Sequence, residues 1–89
     1  MKAVITVVGK DTVGILATVS NECAKNNVNI LDVSQTILQD MFCMIMICNI
    51  DAMNIKFSDF SKTLREIGTK RALSINAMHE DIFNSMHRI

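Results

Sequence analysis

Apolar and polar positions change period several times along this chain, and each change marks an element. From Lys2 to Val8 both parities are apolar, with Ala3, Ile5 and Val7 on one side and Val4 and Val8 on the other. That pattern predicts a first strand covered on both faces. Ile15, Val19 and Cys23 then recur every four residues with Leu16 beside them, which predicts a helix over residues 13–26 that Asn26-Asn27 ends. In residues 29–39, Leu31, Val33 and Ile37 oppose Asp32, Ser34 and Thr36, the alternation of a second strand. Gln39-Asp40 predicts a hairpin turn. The third strand, residues 41–50, is apolar on both faces at its centre, from Phe42 to Cys48. Phe57, Phe60, Leu64 and Ile67 form a second helical stripe, with Ser58 or Asp59 as cap and Gly68 as terminator. Leu73, Ile75 and Ala77 alternate in a fourth strand over residues 72–78. Ile82, Phe83, Met86 and Ile89 predict a short terminal helix over residues 81–89, capped by Asp81.

The resulting order, β-α-β-β-α-β plus a helix, is the split-βαβ, ferredoxin-like plan of the α+β class. It predicts a four-stranded antiparallel sheet with two helices on one face, in a single domain spanning residues 1–89. The sequence has 89 residues, few for a stable core. Yet 49% of them are hydrophobic and the mean hydropathy is +0.28, more apolar material than a small monomer needs. A homo-oligomer, most simply a dimer, is expected to bury the sheet face that the helices leave open.

Nine basic and nine acidic residues leave a formal net charge of +0. That balance excludes the electrostatic footprint of a nucleic-acid or anionic-membrane binder. The central strands carry Met, Ile and Cys, and the chain has no Tyr or Trp, so no base-stacking platform exists. The N-terminus reads as a strand, not as a signal peptide, and no apolar run is long enough to span a bilayer. Cys23, Cys43 and Cys48 include no Cys-x-x-Cys pair; they predict reduced packing thiols in a cytoplasmic protein. Cys43 and Cys48 fall on opposite faces of one strand. His79-Glu80-Asp81 with His87 matches no strong metal motif, and the expected role is that of solvated helix-end residues. No metal, cofactor or catalytic constellation is expected, and the chain reads as a binding module, not an enzyme.

The stretch with most chemical promise is Val7-Val8-Gly9-Lys10-Asp11-Thr12-Val13-Gly14-Ile15-Leu16. Two of the chain's three glycines bracket a turn between the first strand and the first helix. Glycine permits positive φ and close backbone approach. Asp11 or Thr12 can cap the helix, and the free N–H groups of such a corner suit a small anion. A tight capped connection with no ligand has the same sequence.

This turn, the element order, and a later Asn27-Val28-Asn29-Ile30 resemble the ACT domain, a small regulatory module of amino-acid metabolism. The tail from His79 to Ile89 resembles that of stand-alone single-domain ACT proteins of bacteria and archaea. These in turn resemble the halves of the glycine cleavage system transcriptional repressor. The resemblance implies a pair of copies joined through their sheets. It also implies an amino-acid effector held between the first turn of one copy and the start of strand two of the other. Carried over, the contacts are the backbone of Gly9, Lys10, Asp11, Thr12, Val13 and Gly14, with Asn29 and Ile30 across the interface. Two positions depart from the family pattern: Val13 stands where Pro is common, and Gly9 where ligand-binding members often carry a polar side chain.

Overall fold

The structure, a computed structural model, describes residues 1–86; His87, Arg88 and Ile89 lie outside the described residues, and with them part of the expected terminal helix. Seven elements follow in order: β1 (Lys2–Lys10), α1 (Ile15–Lys25), β2 (Asn29–Leu38), β3 (Met41–Asn49), α2 (Phe57–Lys70), β4 (Leu73–His79) and α3 (Glu80–Met86). The strands form one sheet in the order β2-β3-β1-β4, every neighbouring pair antiparallel. This is the ferredoxin-like βαββαβ fold.

Strand parity decides what lies inside. Ala3, Ile5 and Val7 of β1, Phe42, Met44, Met46 and Cys48 of β3, and Leu73 and Ile75 of β4 are buried beneath the two long helices. Ile15, Val19 and Cys23 of α1 and Phe60 and Leu64 of α2 meet them. Met44 and Met46 therefore belong to the core, and the outer face carries Val4, Thr6, Val8, Met41, Cys43, Ile45 and Ile47. α3 packs against β1 and β4 on that outer face. Its position explains why Val4 is 2% exposed whereas Val8, on the same strand and face, is 43% exposed.

Four local features differ from the expected pattern. β2 contains a bulge between Ile30 and Asp32, so Leu31 is the unpaired extra residue and the expected alternation breaks there, with Ile30 and Asp32 paired to opposite-face residues of β3. α2 has Lys56 at its cap position with no side-chain cap, so Ser58 and Asp59 lie inside the first turn. Gly68 does not end that helix but is buried within it, where a Cβ would come within 2.6 Å of the Leu73 carbonyl oxygen. Its missing side chain sets how closely α2 seats on β4. The final helix likewise starts at Glu80, directly after β4, with Asp81 in its first turn instead of at its cap.

α1 ends as a Schellman motif with asparagine in the left-handed position. Asn27 has φ of 59°, its amide donates to the Ala24 carbonyl at 3.2 Å, and the Val28 amide donates to the Cys23 carbonyl at 2.8 Å. The Asn27 side chain also donates to the Ala52 carbonyl at 2.9 Å, anchoring the β3–α2 connection. The Asn-Asn-Val run is thus a stop signal, and it delivers Asn29 to the start of β2.

Candidate functional site at the first turn

β1 ends at Lys10, and the Asp11 amide donates to the Asp40 carbonyl at 2.8 Å, tying the turn to the β2–β3 hairpin. The chain then reverses at Gly14, which has φ 85° and ψ 13° and is itself the cap residue of α1. No side chain caps the helix, so neither Asp11 nor Thr12 takes the expected role. The physical reason is that the cap position falls on Gly14, which has no side chain to accept from the helical amides. What Gly14 supplies is its backbone angle: a Cβ there would meet nothing within 4 Å.

Among the described residues, the amides of Thr12, Val13 and Gly14 donate no backbone hydrogen bond. The first amides of α1 lack intrahelical acceptors by geometry. Val13 is 96% exposed, and Lys10, Asp11 and Thr12 are exposed as well. The corner is open to solvent on its outward side.

Its inward side is closed by a residue that the sequence reading passed over. Arg71, from the α2–β4 connection, donates through Nη2 to the Val13 carbonyl at 2.7 Å and to Thr12 Oγ1 at 3.4 Å. Through Nη1 it donates to the Gly14 carbonyl at 3.4 Å and to Thr18 Oγ1. Thr18 in turn donates to the Gly14 carbonyl, from its amide at 3.0 Å and from Oγ1 at 2.9 Å. The sequence signal for Arg71 was topological. In the split-βαβ plan β4 pairs with β1, which puts the start of β4 beside the end of β1.

Gly9 matters through this same neighbourhood. It pairs with Leu73, and a Cβ on it would lie 2.6 Å from Leu73 Cδ2 and 2.9 Å from the Ala72 carbonyl oxygen. Its missing side chain lets residues 72 and 73 come up against the end of β1.

Asn29 and Ile30 are far from the turn within one chain. Asn29 and Lys2 both pair with Asn49, whereas Lys10 and Leu38 both pair with Met41. The two halves of the expected site therefore sit at opposite ends of the sheet, eight residue steps or roughly 26 Å apart. The Asn29 side chain is exposed, whereas that of Ile30 packs on the core.

At the Lys2 end, a hollow of about 470 Å³ is lined by Met1, Lys2, His79, Glu80 and Asp81. The His79 ring stacks on Phe57 with centroids 4.3 Å apart, and its Nδ1 is buried with no hydrogen-bond partner among the described residues. The imidazole is thus committed to the α2 side of the sheet. Among the described residues no group of three or more His, Cys, Asp or Glu side chains could hold a metal ion. No helix among them is long and apolar enough to cross a membrane.

All three cysteines are free thiols. Cys23, on the inner face of α1, and Cys48, on the core face of β3, are buried, and Cys43 is half-buried on the outer face. The hydrogen bond with Cys48, reinforced by burial, pushes the Cys23 thiol far above its ordinary range.

Comparison with known proteins agrees with this architecture. A family model described as the ACT domain matches residues 2–77. The UPF0237 protein of Clostridium perfringens is 52% identical over 89 residues, covering 100% of both chains. That of Methanocaldococcus jannaschii is 42% identical over 88 residues, covering 99% of this chain and 98% of the relative. Among solved structures, an ACT domain protein from Streptococcus pneumoniae superposes with a TM-score of 0.80 at 38% identity, over 93% of each chain. A structure described as a glycine cleavage system transcriptional repressor shares the fold, with a TM-score of 0.74 at 23% identity, over 86% of this chain and 44% of that one. ACT domains are regulatory modules that bind small molecules, commonly as dimers. On the match across residues 2–77 and on these full-length relatives, the chain belongs to the ACT-domain family.

Proposed function

We propose that this protein is a regulatory module that senses an amino acid at the interface between two of its own copies. The turn from Gly9 to Gly14 of one copy would hold the α-carboxylate. Asn29, with the Ile30 backbone, would complete the site from the other. One observation carries the reading: the turn and Asn29 lie at opposite ends of one sheet. Antiparallel pairing of two copies through their sheets puts each turn at the end where the other copy's β2 begins. The surface for such pairing is the unpaired β2 edge and the adjoining outer face, where Val8, Leu38, Met41 and Ile45 are exposed.

Chemically, the unpaired amides of the turn suit an anion, and the positive end of α1 favours one by about 0.3–1 kcal/mol. The Asn29 carboxamide offers a donor and an acceptor to the ligand's ammonium and carboxylate. Asp11, freed from capping, is available to the ammonium. Nothing in this arrangement resembles a nucleophile held by a base and an orienting group, which fits a sensor better than a catalyst.

The exposed apolar outer face also suits a second reading, an assembly module with no small-molecule ligand. Thermal-shift measurements across the proteinogenic amino acids separate the two. The sensor reading expects a raised melting temperature with one amino acid or a small related group, since a ligand that binds only the folded state stabilises it. A folded, assembled protein that responds to none of them is an assembly module.

A further inference from the structure

We propose that Arg71 is the positioning residue of the first turn: its guanidinium holds the Val13 carbonyl inward and thereby turns the Gly14 amide outward, next to the Ile15 amide that the first helical bond already directs. For its ligand this inference rests on the amino-acid reading above. The geometry of the peptide group carries it. In a trans peptide the C=O and N–H point in opposite directions. The Val13 carbonyl shares its peptide plane with the Gly14 amide, and the Gly14 carbonyl shares its plane with the Ile15 amide. Arg71 Nη2 bonds the first carbonyl at 2.7 Å, so the Gly14 amide faces the opposite side; the second carbonyl is held by the Thr18 amide at 3.0 Å in the first helical bond, with Arg71 Nη1 at 3.4 Å beside it. Thr12 Oγ1 and Thr18 Oγ1 accept from the same two nitrogens and fix the fork's plane.

A lysine cannot reproduce this grip. Its ammonium is a point charge with rotatable donors, whereas the guanidinium is a rigid fork that spans several acceptors at fixed spacing. Charge adds a second effect. Among the described residues the only ion pair joins the Met1 ammonium to the Asp51 carboxylate, so no described carboxylate pairs with Arg71. Its charge stays available to attract a carboxylate to the corner.

The connection that carries Arg71 is itself held in place. Ala72, the next residue, has φ of 56°, a left-handed angle costly for a residue with a Cβ. Its carbonyl oxygen lies where a Gly9 side chain would be. Gly9 and the Ala72 reversal together set the reach of Arg71, and the end of α2 is thereby coupled to the turn. Anything that shifts this connection loosens the Val13 carbonyl and with it the Gly14 amide.

The test compares wild type, Arg71→Met and Arg71→Lys as full-length protein. Amide proton–nitrogen spectra are recorded without ligand, and calorimetry with each amino acid that binds the wild type. The expected result is displaced Gly14 and Ile15 resonances in both variants, with sheet resonances unchanged. Binding is expected to weaken about tenfold, with partial recovery when free guanidinium is added to Arg71→Met. A role confined to stability predicts a lower melting temperature but unmoved turn resonances and unchanged affinity, and that outcome overturns the proposal. If Arg71→Met does not fold, Arg71→Lys decides by the same readings. A wild type that binds no amino acid overturns the ligand reading, while the ligand-free spectra still decide whether Arg71 positions the turn.

Discussion

Gly9, Gly14 and Gly68 are needed for different reasons, and substitution separates them. Gly14 needs only its positive φ, because the space around it is open. Gly14→Ala should therefore cost about 1 kcal/mol in chemical denaturation, the price of a left-handed L-residue, with no repacking. Gly68 lies inside a helix, where alanine ordinarily gains about 1 kcal/mol. Here its Cβ would meet a backbone oxygen at 2.6 Å, and overpacking of about 1–3 kcal/mol outweighs that gain. Gly68→Ala should therefore destabilise the protein, and a denaturation midpoint that rises instead would contradict the seating of α2 on β4. Thiol labelling checks burial just as directly. In the folded protein Cys43 should react with a maleimide well before Cys23 and Cys48, which are buried, and Cys43 should be protected as copies assemble.

At the scale of elements, periodicity was informative where a residue's environment is local. Ile15, Val19 and Cys23 could be read as a buried stripe because helical spacing alone puts them on one face. The Gly9–Gly14 bracket was legible because left-handed angles and close approaches both select glycine. The bulge at Leu31 was not legible: a single inserted residue leaves the alternation on either side intact. Nor was the role of Gly68, since a glycine near a helix end has the same sequence as a terminator. Arg71 was hidden because its partners lie 53 to 59 residues away in sequence, at Thr18, Gly14, Val13 and Thr12. The parity of β1 and β3 could not be assigned from alternation because both faces are apolar. The structure resolves it, and the outcome directs a mutation. Ile45, 43% exposed, lies on the outer face, so a carboxylate there meets water in a monomer and an apolar surface in a pair. Ile45→Asp should shift the sedimentation profile to monomer while leaving the far-ultraviolet spectrum unchanged. A dimer that survives the change would remove the outer face from the account.

Across the whole molecule, the two halves of the proposed site never meet within one chain. The sheet separates them by its own length, and the proposed antiparallel pairing of two copies would bring them together in duplicate. A two-fold pair has two such sites, each built from one copy's turn and the other copy's β2 start. Gly14→Val should abolish binding by straining the turn, and Asn29→Ala should weaken it at the other half. The most direct test mixes these two variants, lets subunits exchange, and measures amino-acid binding by calorimetry. In the mixed pair one site carries both substitutions and the other carries neither. Binding at wild-type affinity should reappear in the mixture at a fraction of the sites. If subunit exchange is demonstrated and the mixture stays no better than its separate components, the site is not shared between copies and the account is wrong.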